Sequence, residues 1–148
     1  MSYCDAIKAY SVTTRALFER NAMGYLLDWR EGLARKPLVI RGARQVGKTF
    51  LVRMFSDKFG RYAELNLARA EHAALFKRNL PAKELLQSIL LECALPASDQ
   101  PLLVFLDEIQ DCPEAVEMLR FFHEDCPNTY FIAAGSLLEV ALEVAQIS

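Results

Sequence analysis

The four cysteines of this chain form no CxxC pair, and each lies beside apolar residues. A disulfide framework is therefore not expected, and Cys112, His123 and Cys126 have the wrong spacing for a zinc site. The chain also lacks a charged and apolar leader at its start, and it contains no apolar run long enough to cross a bilayer. These absences predict a soluble, cytoplasmic protein whose cysteines are reduced and which does not associate with a membrane.

Net charge is nearly absent as well, because 17 basic residues stand against 19 acidic ones. A formal charge of -2 gives no reason to expect a general affinity for nucleic acid and leaves specific binding undecided. The charge is unevenly placed, with seven bases against one acid between Arg30 and Arg53, and nine acids against one base from Pro101 onward. With 53% apolar residues in 148, the chain can form one packed domain with a cationic rim suited to phosphates.

The residues from Gly42 to Thr49 fit the phosphate-binding pattern of two glycines with four residues between them, followed by Lys and Thr. A loop around a polyphosphate needs glycine because its backbone turns tightly and its amides must approach the ligand closely. Lys48 would contact the β and γ phosphates, and the Thr49 hydroxyl would complete a magnesium site. The predicted nucleotide contacts are Gly42, Ala43, Arg44, Gln45, Val46, Gly47, Lys48, Thr49 and Phe50.

Apolar periodicity predicts strands that alternate with helices. Strands are expected at 37–41, 62–67, 102–108 and 130–134, and helices after the phosphate loop up to Gly60, at 68–78, from Pro81, at 112–125 and at 137–147. Residues 1–36 show no strand pattern and predict a helical lead-in packed on the core, which leaves 37–148 as the core itself. The fold class is therefore α/β.

Two adjacent carboxylates, Asp107 and Glu108, directly follow the apolar run Leu102–Leu106. At the carboxyl end of a buried parallel strand such a pair is suited to a ligand site. Asp107 would hold magnesium, and Glu108 would orient and deprotonate the water that attacks a γ phosphate. The alternative is that the pair caps the next helix, whose first turn Pro113 marks.

The fourth predicted strand ends at Gly135 and Ser136. In a sheet ordered around the phosphate loop, this strand would lie between the first and the third. The Ser136 hydroxyl would then lie near the γ phosphate and the attacking water, where it could act in catalysis by sensing the γ phosphate. The alternative is a turn serine that caps the following helix.

With these motifs in view, the chain resembles the AAA+-type ATP-binding proteins of bacteria and archaea that carry a C-terminal domain of largely unassigned function. The similar segments are Lys36–Thr49, Leu106–Gln110 and Ala133–Glu139. The resemblance implies a three-layer P-loop NTPase core, with helices on both faces of a parallel sheet in the order 1-4-3-2. It also implies ATP and Mg2+ as ligands, with Lys48, Thr49, Asp107, Glu108 and Ser136 in the roles given above.

The chain departs from that family in its length. Family members continue through a fifth strand, a helical lid and the C-terminal domain, so this chain is expected to be truncated before those parts and to have its own C-terminal domain as a partner. No arginine finger can be placed. Without the fifth strand, the first strand would become an exposed apolar edge, and we expect self-association there.

Mg-dependent ATP hydrolysis is the expected function, with ATP and ADP as ligands and a low rate in this chain alone. A nucleotide-dependent switch that hardly hydrolyses ATP is the alternative. A small-molecule kinase is less well supported, because only Arg120 lies between Asp107 and Ser148, where such kinases carry several arginines. The preference for ATP over GTP depends on the resemblance and on the lack of an Asn-Lys-x-Asp motif.

Overall fold

The computed structural model describes residues 22–32, 36–41 and 46–135. The helices and strands in these ranges alternate as the apolar pattern predicts. They are α1 (Ala22–Glu31), β1 (Leu38–Arg41), α2 (Val46–Phe55), β2 (Arg61–Asn66), α3 (Ala70–Phe76), α4 (Ala82–Glu92), β3 (Leu102–Asp107), α5 (Pro113–Asp125) and β4 (Thr129–Gly135). Short 3-10 turns follow α2 at Ser56–Lys58 and β3 at Ile109–Asp111.

The four strands form one parallel sheet in the order β1-β4-β3-β2. Ala133 lies in the middle of one row of this sheet, with Val39 of β1 on one side and Leu106 of β3 on the other. In the row of Asp107, the neighbouring strand β2 contributes Asn66. The predicted α/β class and the strand order 1-4-3-2 are confirmed.

The strand β3 shows why the sheet is covered on both faces. Its first five residues are apolar and buried, and the sixth, Asp107, is partly exposed at the carboxyl edge. Leu102, Val104 and Leu106 belong to a core cluster with residues of α3, α4 and α5. Leu103 and Phe105 belong to a second cluster with residues of α1 and α2. Because successive side chains of a strand point to opposite faces, an all-apolar strand requires two covering layers, and the three-layer core follows.

The helix α1 packs on the sheet face that α2 also covers. Leu26 is buried in that cluster, and the ring of Trp29 lies 6.3 Å from Phe55 and 5.9 Å from Tyr130, measured between centroids. The Trp29 indole also donates to the Lys36 carbonyl at 2.9 Å, so the approach to β1 is tied to α1. The remainder of the predicted lead-in before Ala22, and the helix predicted at 137–147, lie outside the described residues.

The end of α2 differs from the prediction that Gly60 stops this helix. The α-helix ends at Phe55, and the Ser56 hydroxyl donates to the Arg53 carbonyl at 2.6 Å in the following 3-10 turn. Gly60 is required for a different reason, because a Cβ there would lie 2.6 Å from the Gln100 side chain. The glycine therefore allows the loop before β3 to pack closely against the start of β2.

Within the described ranges, no helix is long and apolar enough to span a membrane. Cys93, Cys112 and Cys126 are free thiols, and burial raises the pKa of each. No group of three or more His, Cys, Asp or Glu side chains in this part of the chain is arranged to hold a metal ion. His123, Cys112 and Cys126 therefore do not form such a group in this part of the chain.

Candidate functional site

The site lies at the carboxyl edge of the sheet, where β1, β4 and β3 all end. Arg41 ends β1 next to Gly135, which ends β4, and Asp107 ends β3 one strand further along. The helix α2 begins near this edge, since Val46 follows β1 after only four residues. In open parallel sheets ligands bind at this edge, because the loops after neighbouring strands separate there.

A hydrogen bond between Thr49 and Asp107 brings the two sequence motifs together. The Thr49 hydroxyl donates to Asp107 Oδ2 at 3.0 Å across 58 residues of sequence. The other carboxylate oxygen, Oδ1, accepts the backbone N–H of Glu108 at 2.9 Å. The carboxylate is thereby oriented towards the first turn of α2. A hydroxyl and a carboxylate held this close are the kind of oxygen ligands that Mg2+ takes in phosphate-binding sites.

Burial has the largest effect on the charge of Asp107, and Lys48 lies close enough to oppose it. Burial raises the pKa of the Asp107 carboxyl, while the Thr49 hydrogen bond and the positive charge of Lys48 act against that rise. Lys48 itself is 7% exposed and is the one charged residue that is buried in the described ranges. Because a buried ammonium is costly unless anions surround it, its position fits a site that receives phosphates.

Glu108 has an unusual backbone conformation, with φ 54° and ψ 44°, in the left-handed region. Non-glycine residues seldom adopt it, and such conformations concentrate at functional sites. The reversal leads from β3 directly into the 3-10 turn, where Ile109 is fully buried. As a result the Glu108 side chain leaves the sheet edge beside Gln110, whose Nε2 donates to Glu108 Oε2 at 2.6 Å.

The helix-cap alternative for the acidic pair is not what the structure shows. Cys112 is the N-cap residue of α5, and its side chain makes no capping hydrogen bond to the helix backbone. Pro113 occupies the first turn, as its position in the sequence predicted. Asp107 and Glu108 therefore have contacts with α2 and the 3-10 turn instead of a capping role.

A second polar contact joins α2 to the sheet, and sequence reasoning missed it. Arg53 lies one helical turn after Thr49 and forms two hydrogen bonds with the Glu64 carboxylate, at 2.9 and 2.7 Å. The Tyr62 hydroxyl also donates to Glu64, at 2.7 Å. The Arg53 guanidinium keeps the pKa of Glu64 low, whereas burial and Glu64 together raise that of Tyr62. The one signal in the sequence for this contact was an acidic residue, Glu64, inside a predicted strand. Its partner Arg53 can be identified only once α2 is packed against the sheet.

The remaining predicted site residues have different positions. Gly47 and Val46 lie in the first turn of α2, and the side chain of Phe50 is 53% exposed. Ser136 lies outside the described residues, directly after the buried Gly135. The same holds for most of the phosphate loop, namely Gly42, Ala43, Arg44 and Gln45. The roles assigned to all of these residues remain predictions.

Comparison with known proteins gives one finding. A family model described as "AAA domain" matches residues 34–146, which is most of the chain. The comparisons with curated proteins and with solved structures returned no match. The matched range contains all four strands and every predicted site residue. This match, together with the strand order and the Thr49–Asp107 contact, identifies the chain as a member of the AAA domain family, whose proteins have nucleotide-binding, ATPase-like functions.

Proposed function

We propose that this chain binds ATP with Mg2+ and hydrolyses it to ADP and phosphate. The observation that carries the proposal is the 3.0 Å contact between Thr49 and Asp107, with the buried Lys48 beside it. A hydroxyl, a carboxylate and an ammonium from two separate segments then face one ligand. The hydroxyl and the carboxylate suit the metal, and the ammonium suits the phosphates.

Each residue would have a distinct task. Thr49 and Asp107 would hold the magnesium ion, which when bound neutralises charge on the phosphates. Lys48 and the backbone amides at the start of α2 would bind the β and γ phosphate oxygens. Glu108 would accept a proton from the attacking water as the bond from the γ phosphorus to the bridging oxygen breaks. Ser136 would contact the γ phosphate side of the site.

The test of nucleotide binding is a calorimetric titration with ATP and Mg2+. Lys48→Ala should abolish binding, because it removes the buried ammonium. Lys58→Ala is the matched control, since Lys58 is exposed in the 3-10 turn after α2 and should bind as the wild type does. A wild-type protein that is folded by Trp29 fluorescence and binds no ATP would refute the proposal.

Hydrolysis needs a separate measurement, because the class can lose a factor of roughly 10³ to 10⁵ in rate without an arginine finger. Single-turnover assays, with the protein in excess over labelled ATP, detect such slow chemistry. Glu108→Gln should retain ATP binding and lose phosphate release, whereas Glu117→Gln, at an exposed position of α5, should lose neither. Binding without phosphate release in the wild type would contradict the hydrolytic part and favour a nucleotide-dependent switch.

A further inference from the structure

We propose that Gln110 is a positioning residue that holds the carboxylate of Glu108 in place for water activation. This inference depends on the proposed function, because it assigns Glu108 the role of base. It is supported by three features of the structure: the hydrogen bond between the two side chains, the turn that brings them together, and the space left by Gly135.

The hydrogen bond determines how the Gln110 amide is oriented. Its Nε2 lies 2.6 Å from Glu108 Oε2. Rotating the amide by half a turn would place its oxygen against the carboxylate oxygen, which repels it, so the N–H group must face Glu108. Hydrogen bonds to a carboxylate are shorter and stronger than those between neutral groups. Gln110 therefore restricts the rotamers that the Glu108 side chain can adopt.

The backbone explains why residues two apart can form this contact. On a regular helix, side chains at i and i+2 do not face each other. On a strand they lie on the same face but are separated along the strand by two residues. The left-handed conformation of Glu108 and the 3-10 turn from Ile109 to Asp111 remove that restriction. The buried Ile109 side chain anchors the turn in the core. The geometry of the pair is thus set by a strained residue and an anchored turn.

Gly135, at the end of β4, leaves the space that Gln110 occupies. A Cβ on Gly135 would lie 2.9 Å from Gln110 Oε1 and 3.2 Å from Ile109 Cγ2. No glycine in the described ranges has a positive φ, so the reason for glycine here is space and not backbone freedom. The Oε1 atom is buried and has no hydrogen-bond partner among the described residues. Its position is therefore set by packing against β4 on one side and by the bond to Glu108 on the other.

It follows that the end of β4 controls where the Glu108 carboxylate lies. The two residues do not need to touch, because the Gln110 side chain connects them. A change in residue 135 should act on the rate through Gln110, and loss of the Gln110 amide should leave Glu108 present but poorly placed. Misplacing a reacting group by about 1 Å can cost on the order of 100-fold in rate.

The first experiment separates positioning from binding. Gln110→Met keeps an unbranched side chain of similar length but removes the N–H donor, and Gln87→Ala, at an exposed position of α4, is a control. We expect Gln110→Met to lower the single-turnover rate by roughly 10- to 100-fold and to change the Kd for ATP by less than about threefold. In a Glu108→Gln background, which has already lost phosphate release, the same substitution should leave the Kd for ATP unchanged, because Gln110 acts through Glu108.

The second experiment needs no nucleotide. Gly135→Ala should lower the melting temperature, followed by Trp29 fluorescence, by only about 1 to 3 °C, since the nearest atom, Gln110 Oε1, ends a flexible side chain that can shift away from the new methyl group. In a Gln110→Ala background the same substitution should lower it by less than half as much, because the atom nearest to the new methyl group is gone. Equal losses in both backgrounds would overturn the packing on which the proposal depends.

The outcomes distinguish this inference from the proposed function. If the wild type releases phosphate, Glu108→Gln does not, and Gln110→Met retains the full rate, then the proposed function stands and the positioning role is refuted. A change in the Kd for ATP as large as the loss in rate would also refute it, because Gln110 would then act in binding and not in positioning. If the folded wild type releases no phosphate, the proposed function fails and the positioning role fails with it.

Discussion

Removing the Thr49 hydroxyl tests the contact that joins α2 to the end of β3. Thr49→Val keeps the size and branching of the side chain, but the Asp107 carboxylate loses one of its two hydrogen bonds described above. A hydrogen bond to a charged group contributes about 1.5 to 3 kcal/mol, and partial exposure of Asp107 places the expected loss near the lower end, at about 1 to 2 kcal/mol. Thr49→Ser keeps the donor, so its loss should be smaller, at about 0.5 kcal/mol.

The free energy of unfolding can be measured by urea titration with the fluorescence of Trp29, the single tryptophan of the chain. Its ring packs against Phe55 at the far end of α2, so the signal reports on the helix that carries Thr49. A domain of this size is stable by about 5 to 15 kcal/mol, which makes a loss of this magnitude readily measurable.

A double-mutant cycle with Asp107→Ala isolates the interaction itself. In that background Thr49→Val should cost almost nothing, because the acceptor is gone. The same variants can be examined with Mg2+ and ATP at 100 times the Kd, where binding stabilises the wild type by about 2.7 kcal/mol. Thr49→Ser should keep this stabilisation by the ligand. Thr49→Val should lose the part of the stabilisation that depends on Mg2+. If Thr49→Val is as stable as the wild type, or costs the same without Asp107, then the contact does not have the role assigned to it.

Three further predictions concern charge and assembly. Burial raises the pKa of Asp107 in the folded protein, so the stability it contributes is complete below the unfolded pKa of about 4 and is lost as the pH rises through the folded pKa. Asp107→Asn should therefore be more stable than the wild type at neutral pH and similar to it below about pH 4, as measured by urea titration across pH; a constant difference would contradict this. The pair of Arg53 and Glu64 behaves in the opposite sense, because the pKa of Glu64 is lowered: its contribution is present above the unfolded pKa and is lost as the pH falls. Since Arg53 is largely exposed, Arg53→Ala should cost only about 0.5 to 1 kcal/mol at neutral pH and less in acid, and a larger cost in acid would count against the ion pair. Finally, the apolar side chains of β1 are buried, so the exposed apolar edge expected from the sequence is not found, and we propose that β1 mediates self-association through its backbone edge, since in the described ranges it pairs with β4 alone. Light scattering over a range of concentrations should show dimers or larger species, and a monomer throughout would refute it.

The architecture of the sheet could be predicted from the sequence because each strand has a distinct local pattern. The all-apolar run that ends at Asp107 indicates a strand covered on both faces, and the short segment between β1 and α2 carries the phosphate-binding pattern. The order of the strands in the sheet was predicted through the resemblance to the AAA+-type proteins, and the sheet confirms it. The same patterns indicated which side chains at the carboxyl edge were candidates for a ligand site.

Side-chain partners could not be predicted in this way. The early end of α2 at Phe55, the link from Arg53 to Glu64, and the contact of Gln110 with Glu108 and Gly135 all depend on groups from different elements or on a strained turn. The choice between a helix cap and a ligand site for Asp107 was likewise open in the sequence, because an acid before a helix is suited to both. In the folded chain, Cys112 is the N-cap residue of α5, which contradicts the helix-cap interpretation, and the ligand site remains a proposal supported by the contact of Asp107 with Thr49.

By itself, then, the sequence determined the α/β class and the candidate residues, since periodicity and motif spacing are local properties of the chain, whereas the strand order was predicted through the resemblance to a known family. Only the tertiary structure decided which oxygen of Asp107 faces Thr49, why Gly60 and Gly135 must lack a side chain, and which amide holds Glu108. The physical reason is that hydrogen bonds and close packing act over about 3 to 4 Å. Residues far apart in the sequence reach that distance only when the whole core has formed.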